Sequence, residues 1–377
     1  MGAGQQERAR RAVAQAALAV LVCGAVFTLL PLSLSGYVPI WMQVDESIRS
    51  TASSYFFIIY STMLFRCSSI IFGTILRAAG DTKTPMRVGL AVNAVNVFLN
   101  FLLIYPSREM LGIFIPGAGM GVIGAALASA VAYAIGGIAI AVAVWRHGTL
   151  SPRGVSFKPD GEILVPCLKV AIPNACQRFG TSLGYVAFAA MVNSVGEIAT
   201  AAHTIANTVE SAFYIPGYGM QTAAATLAGN ALGAGDKDRI DRLGRAALWI
   251  ELALMILSGG ILFLSAPYMM RIFSADEEVV TLGTTVLRMV ALSEPFYGVS
   301  IIIEGMLNGM GKTVMPFVTN ITGMWLVRIV GTFICTQMLS FGLVSAWGCM
   351  ILHNLALFVV FFGYYLSGRW NPLRTVK

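Results

Sequence analysis

The chain has 377 residues, of which 57% are hydrophobic and only 11% are charged, and its mean hydropathy is +0.76. Soluble domains carry roughly 25% charged and about 45–50% apolar residues, so this composition excludes a soluble protein, and it equally excludes a disordered, collagen-like or disulfide-scaffold protein. The net charge of +7 does not indicate a nucleic-acid partner, because the basic residues are spread along the chain at the ends of apolar segments. The sequence is that of a polytopic membrane protein.

Ten apolar segments are long enough to cross a bilayer. A crossing helix takes about 20 apolar residues, and the segments are continuous rather than alternating, which favours helices over barrel strands. We expect a break near Ser340-Phe341-Gly342 inside the last uncharged stretch. The predicted fold class is all-α and polytopic. In chain order the predicted helices are 12–34, 48–77, 86–106, 120–145, 164–195, 199–230, 244–268, 278–308, 314–338 and 342–367.

The distribution of lysine and arginine predicts the orientation of these helices. Cytoplasmic loops of membrane proteins carry an excess of both residues. With the N-terminus inside, only Arg49, Arg108 and Arg271 of the 25 basic residues fall in outside loops, and five lie within helices. We therefore expect both termini in the cytoplasm and a multi-pass protein of the plasma (inner) membrane.

The two halves of the sequence repeat one another without a gap over a long stretch. Equivalent segments are predicted on the same side of the membrane, so the repeat is parallel. Many secondary transporters have such a repeat, with the substrate site between the halves. Cysteines placed at Gln43 and Ser274, in matching loops, should both be labelled from outside. The matching segments include Gly2-Ala3-Gly4 with Gly233-Ala234-Gly235, Asp45-Glu46 with Asp276-Glu277, Gly80 with Gly311, and Pro85 with Pro316.

Three motifs distributed over the chain carry a resemblance to a known family. The longest includes Ala201-Ala202-His203-Thr204-Ile205, Ile215-Pro216-Gly217-Tyr218-Gly219 and Leu232-Gly233-Ala234-Gly235-Asp236; the others are Arg77-Ala78-Ala79-Gly80-Asp81-Thr82-Lys83-Thr84-Pro85 and Asn96-Val97-Phe98-Leu99-Asn100. They resemble the eighth helix with its following loop, the loop after the fourth helix, and the start of the fifth helix of the multidrug and toxic compound extrusion (MATE) family.

The resemblance implies a specific domain organisation. Members of the family have two lobes of six helices, whereas ten helices are predicted here, so we expect the first two helices to be missing. The N-terminal lobe then occupies residues 1–146 with four of its six helices. A cytoplasmic linker follows at 147–163, and the C-terminal lobe occupies 164–377 with all six helices.

An enzyme is not indicated. The three histidines (His147, His203 and His353) are far apart and have no metal-ligand spacing, and no serine or cysteine lies in a nucleophile motif. Gly119-Met120-Gly121-Val122-Ile123-Gly124 fits a dinucleotide pattern, but it opens an uncharged apolar run instead of following a strand. The six cysteines lie in apolar stretches and are interpreted as small buried hydrophobes. We expect no cofactor and no bound metal.

Carboxylates at membrane depth are the strongest functional candidates, because a charge at the helix centre costs at least about 2.5–3.5 kcal/mol. Glu294 lies mid-span before Pro295, which removes a helix donor, and Glu210 lies mid-span before Pro216. Both are candidates for cation or proton coupling. The alternative is a static ion pair with Arg178, Arg328 or Arg288. Glu251 and Glu304 lie nearer the helix ends, and we expect them to reach the headgroup region.

Substrate-lining residues are predicted in both lobes. Asn96 and Asn100 share a helix face, and although such a pair often joins helices, the family resemblance favours a cavity-lining role. Tyr297 and Gln177 are predicted to line the cavity as well. Asn100 cannot titrate where the family often has an aspartate, and Thr181 stands where one bacterial branch has a glutamate, so the coupling ion, H⁺ or Na⁺, is left open.

The resemblance implies a secondary active antiporter that exports organic, often cationic and drug-like compounds in exchange for H⁺ or Na⁺. The two lobes would rock about a central cavity. The expected partners are small organic substrates and the lipid bilayer, with no nucleic acid, and we expect a monomer. Two alternatives are a lipid-linked or polysaccharide flippase of the same superfamily, which a strongly basic cavity would favour, and an inactive truncated remnant.

Overall fold

The computed structural model describes residues 2–42, 44–110 and 113–375. The chain divides into two compact units, an N-terminal unit over Ala3–Val165 and a C-terminal unit from Pro166 onward. Both units are built almost entirely from helices, which confirms the predicted all-α polytopic membrane fold. Six helices, or eight spans if two bent helix pairs each count as one, are long and apolar enough to cross a membrane.

The N-terminal unit contains long helices and one hairpin. Pro106 ends the predicted 86–106 helix early, because the residue before a proline is disfavoured in the helical conformation, and a β-hairpin that the sequence analysis missed follows. Its elements are α1 (Gln6–Leu34), α2 (Val38–Trp41), α3 (Glu46–Ser61), α4 (Met63–Ala78), α5 (Lys83–Leu103), the antiparallel strands β1 (Pro106–Met110) and β2 (Ile113–Ala118), and α6 (Gly121–Arg146).

The C-terminal unit continues with helices only, among the residues that the structure describes. Its first helix begins shortly before the unit boundary. The elements are α7 (Gly161–Asn193), α8 (Glu197–Gly233), α9 (Lys237–Phe273), α10 (Glu277–Ala291), α11 (Glu294–Gly309), α12 (Val314–Thr322), a π-helical segment (Gly323–Ile329), α13 (Val330–Phe333), a second π-helical segment (Ile334–Met338), α14 (Leu343–Leu366) and α15 (Pro372–Thr375).

All ten predicted helices coincide with helical segments, but two of them are broken. The predicted 48–77 helix is the pair α3 and α4, bent by 41°, and the predicted 278–308 helix is the pair α10 and α11, bent by 53°. The predicted break near Ser340 is present, where Ser340 adopts a φ of 57°. Hydropathy alone cannot locate such bends, because it reports how apolar each residue is and not the direction of the helix axis.

The internal repeat is visible as matching local structure in the two units. The first bent pair begins after Asp45, whose carboxylate accepts hydrogen bonds from the hydroxyl and the backbone N–H of Ser47, and these bonds hold its pKa below the ordinary value. The second begins after the equivalent Asp276, which caps α10 in the same way. Glycines with φ between 69° and 91° also recur in register, at Gly4 with Gly235 and at Gly80 with Gly311.

The segment between α6 and α7, predicted as a cytoplasmic linker, is tied to α1. Arg11 forms a salt bridge with Asp160, Gln15 donates from Nε2 to the carbonyl of Lys158 at 2.8 Å, and Arg10 donates from Nε to the carbonyl of Ser151 at 2.8 Å. Side chains of α1 thus donate hydrogen bonds to backbone carbonyls of this segment that would bind water in a free loop. These bonds hold the segment against α1 within the N-terminal unit.

Candidate functional site

A cavity of about 600 Å³ lies inside the C-terminal unit. Side chains from α7, α8, α11, the first π-helical segment and α14 line it. Its wall combines aromatic rings with charged groups of both signs, Arg178 and Arg328 with Glu210 and Glu304. A cavity of this size with a few convergent polar groups has the dimensions of a small-molecule site.

Three of the residues predicted as site residues line this cavity. Glu210 on α8 is 5% exposed and accepts a hydrogen bond from the hydroxyl of Tyr214 at 2.9 Å. The ring of Tyr214 meets that of Tyr297 edge to face, with centroids 5.2 Å apart. Gln177 on α7 donates from Nε2 to Oε1 of Glu304 at 2.8 Å. Three residues predicted from the sequence as site residues, on three different helices, therefore share one cavity.

Glu294 lies at the 53° break between α10 and α11 and is fully buried. Pro295 occupies the first turn of α11, where its missing N–H is tolerated. Within the part of the chain that the structure describes, neither carboxylate oxygen of Glu294 has a hydrogen-bond partner. On α9, a Cβ added at Gly259 would stand 2.7 Å from the carbonyl oxygen of Ala291 and 3.3 Å from Oε2 of Glu294. The bare backbone of Gly259 thus packs against this carboxylate and the carbonyl one turn before it.

The expectation that Glu251 and Glu304 reach the headgroups is wrong. Glu251 on α9 is fully buried, and both of its oxygens lack a hydrogen-bond partner among the described residues. Glu304 is 8% exposed and lines the cavity. The burial of Glu251 is explained by close packing of α9 against glycines of α8 and α11. A Cβ added at Gly217 or Gly298 would stand within 3.3 Å of the Glu251 side chain. Distance along a helix from its charged end does not reveal which face is covered by neighbouring helices.

The static ion-pair alternative finds no support in the described ranges. There, no lysine or arginine nitrogen lies within 4.0 Å of a carboxylate oxygen of Glu210 or Glu294. The guanidinium of Arg328 lies instead over the rings of Phe188 and Tyr185, 4.2 and 5.0 Å from their centroids. Arg288 lies over the ring of Phe263 at 5.3 Å, which is an ordinary cation–π contact.

The asparagines predicted in the N-terminal unit contact each other and the neighbouring helix. Asn100 donates from Nδ2 to Oδ1 of Asn96 at 3.0 Å, and Asn96 donates to the hydroxyl of Ser129 on α6 at 3.3 Å. The bond from Asn96 to Ser129 joins α5 to α6, as the helix-joining alternative expects, while the cavity-lining role stays a prediction. Arg66 lies over the ring of Tyr133, 5.0 Å from its centroid.

The sequence was compared with models of known protein families. The MatE family model matches residues 1–102 and 173–334, well over half of the chain. The chain belongs to the MatE family. This confirms the family resemblance that the motifs indicated and places the chain in a family of transporters.

Relatives of this MatE chain match it along most of its length. The "Probable multidrug resistance protein NorM" of Thermotoga maritima is 27% identical over 98% of this chain and 78% of the relative. The "Probable multidrug resistance protein YpnP" of Bacillus subtilis is 25% identical over 88% of this chain and 72% of the relative. The human "Multidrug and toxin extrusion protein 1" is 22% identical over 78% of this chain and 50% of that protein.

Solved structures of MATE transporters share the fold of this chain. A MATE in the bent conformation superposes with a TM-score of 0.87 at 20% identity, covering 99% of this chain and 81% of the other. An outward-facing multidrug resistance MATE family transporter of the MOP superfamily superposes with a TM-score of 0.89 at 20% identity, covering 100% of this chain and 82% of the other.

Several residues of the MatE cavity escaped the sequence analysis as site residues. Tyr214 could have been predicted as a site residue, because it lies four residues after Glu210 and so shares the helix face of Glu210. From the sequence Arg328 is predicted only as an ion-pairing residue, and His353 is not predicted as a site residue because it is far from the other histidines along the chain. Among the described residues no group of three or more His, Cys, Asp and Glu side chains is placed to hold a metal ion.

Proposed function

We propose that this MATE protein is a secondary active antiporter that exports organic compounds in exchange for H⁺ or Na⁺. The observation that carries the proposal is the buried carboxylate of Glu294, which lies at the break of a bent helix pair and has no hydrogen-bond partner among the described residues. A buried carboxylate is stable only when it is protonated or paired with a cation. Such a group takes up a cation with a large gain in stability, which is what coupling requires.

Coupling follows from the way the bound cation changes the site. Glu294 begins α11, and Glu210 and Tyr297 reach the cavity from α8 and α11. Binding of H⁺ or Na⁺ neutralises the carboxylates and favours one angle between α10 and α11, whereas an organic cation in the cavity favours the ionised carboxylate of Glu210. The two ligands therefore compete, and rocking of the lobes carries them in opposite directions.

The names of the relatives support organic, drug-like substrates, since several are multidrug resistance proteins. The aromatic wall formed by Tyr185, Tyr214, Tyr218 and Tyr297 suits flat organic molecules, and its carboxylates suit cationic ones. The flippase alternative rested on a strongly basic cavity. In the C-terminal unit the cavity carries arginines and glutamates in equal number, so it is not the strongly basic cavity on which the flippase alternative depends.

Transport in proteoliposomes tests the proposal. The purified protein is reconstituted, a pH gradient or a Na⁺ gradient is imposed, and movement of ethidium across the vesicle membrane is followed by fluorescence. We expect one of the two gradients to drive ethidium against its own gradient, and a protonophore to abolish the effect if the ion is H⁺. Ethidium movement that ignores both gradients, or no movement of any organic cation tried, would reject the antiporter and favour the inactive alternative.

We further propose that the protein lies in the plasma (inner) membrane with both termini in the cytoplasm. Gln43 lies outside the described residues, so Val44 replaces it beside the helix cap Asp45, and Ser274 stands beside the equivalent Asp276. In a background without the six native cysteines, we expect Val44→Cys and Ser274→Cys both to react with an impermeant maleimide in intact cells. Lys312→Cys, in a predicted cytoplasmic turn, is the control and should react only after lysis. Labelling of just one of the two loops would disprove the parallel repeat.

A further inference from the structure

One side of the cavity in the C-terminal unit carries a basic cluster formed by Arg328, His353 and His203. Arg328 and His353 are 4% and 5% exposed, and all three residues line the cavity. Arg328 comes from the first π-helical segment, His353 from α14 and His203 from α8. π-Helical segments are rare in proteins, and those that do occur often lie at functional sites.

Packing brings the three side chains together. The ring of Phe188 lies under the guanidinium of Arg328 at 4.2 Å and meets the ring of His203 edge to face at 5.5 Å. The ring of His353 packs on Gly323, where an added Cβ would stand 2.9 Å from its Cδ2. Gly323 lies five residues before Arg328 in a π-helical segment, so both lie on nearly the same face.

Four polar atoms of the cluster are buried without hydrogen-bond partners among the described residues. In the described part of the chain, Nε of Arg328, both ring nitrogens of His353 and Nδ1 of His203 have no hydrogen-bond partner. No carboxylate there lies within salt-bridge distance of Arg328. Glu304 accepts a hydrogen bond from Gln177, and Glu210 accepts one from Tyr214. The guanidinium lies against the rings of Phe188 and Tyr185, whereas buried charges are normally paired with an opposite charge at short distance.

We propose that the Arg328–His353–His203 cluster is a binding subsite for an oxyanion, a carboxylate or a phosphate, carried by the molecule that enters this cavity. An oxyanion accepts hydrogen bonds from a guanidinium and from an imidazole N–H at once, and its charge pairs with arginine. The tyrosines and Glu210 on the remaining wall hold an apolar or basic part of the same molecule. This inference rests on the proposed transport function and extends its substrates from organic cations to amphipathic anions and zwitterions.

Equilibrium binding to the purified full-length protein tests the subsite with a matched pair of probes. The probes are the fluorescent 7-diethylaminocoumarin-3-carboxylate and its neutral carboxamide, followed by fluorescence anisotropy. The variants are Arg328→Gln and Arg328→Lys. Arg288→Gln is the control, because Arg288 also lies over an aromatic ring but does not line the cavity.

We expect Arg328→Gln to weaken binding of the carboxylate by at least about tenfold, since hydrogen bonds to charged groups contribute that much. Binding of the carboxamide should be unchanged, Arg328→Lys should weaken the carboxylate less, and Arg288→Gln should match the wild type. An equal loss for both probes, or no loss for the carboxylate in a monodisperse variant, overturns the proposal. If Arg328→Gln does not fold, His353→Gln takes its place with the same expected selectivity.

The oxyanion could come from a soluble substrate or from a lipid headgroup, and vesicle composition separates the two. If phosphatidylglycerol in the vesicles competes with the carboxylate probe in the wild type but not in Arg328→Gln, the subsite takes a lipid phosphate. If phosphatidylglycerol has no effect, it takes the carboxylate of a soluble compound. The binding assay uses no ion gradient, so its result does not depend on the transport assay. If gradient-driven transport fails, the antiporter is rejected, and the oxyanion subsite is still tested by the binding of the two probes.

Discussion

Replacing Glu294 by glutamine is expected to abolish gradient-driven export while the folded protein accumulates normally. Glutamine keeps the volume of the side chain and one acceptor oxygen but cannot take up a proton or a cation by charge. Glu294 is fully buried and neither of its oxygens has a partner, so the substitution leaves no arginine unpaired. Removing one member of a buried ion pair would instead cost about 3–5 kcal/mol and would lower the folded yield.

The measurement combines ethidium transport in proteoliposomes with protein level and size-exclusion profile. Glu251→Gln is the matched control, because Glu251 is also fully buried and also lacks hydrogen-bond partners, but it lies within the continuous helix α9. We expect this control to export at nearly the wild-type rate. If Glu294→Gln is monodisperse and still exports, Glu294 is not the coupling site, and Glu210 and the Asn96 and Asn100 pair become the next candidates.

Replacing Gly309 by alanine is expected to destabilise the C-terminal unit strongly. Gly309 ends α11, where its backbone lies directly on that of α8. An added Cβ would overlap the carbonyl of Ala225, standing 2.6 Å from its carbon, and a Cβ at Gly229 would stand 2.6 Å from the carbonyl oxygen of Gly309. Backbone atoms cannot rotate away as a side chain does. To relieve this overlap, α8 and α11 must move apart. We expect the free energy of unfolding to fall by about 3 kcal/mol, the upper end of the usual cost of inserting a methyl group into a packed interface.

Thermal unfolding in detergent, followed by tryptophan fluorescence, measures this effect. Gly260→Ala on α9 is the control, because nothing lies within 4 Å of a Cβ added there. The control should change stability by no more than about 1 kcal/mol, the difference in helix propensity between glycine and alanine. Equal melting temperatures for the two variants would show that α8 and α11 are not packed backbone to backbone.

The sequence by itself determined the class, the helices and the repeat. Continuous apolar segments leave the helix as the way to satisfy backbone groups in lipid, which is why all ten predicted helices coincide with helical segments. The equivalent caps Asp45 and Asp276 and the equivalent glycines Gly80 and Gly311 adopt the same local structure, because capping and positive φ depend on a few neighbouring residues. The same local motifs identified the family.

Only the tertiary structure decided which polar side chains are buried together. Glu251 and Glu304 have similar positions near helix ends in the sequence, yet α8, α9 and α11 cover one completely and leave the other on the cavity wall. Arg328 and His353 lie on different segments, and packing through Phe188 and Gly323 places them on one wall with His203. Burial in a helical membrane protein depends on which face a neighbouring helix covers, and hydropathy along a single helix carries little of that information.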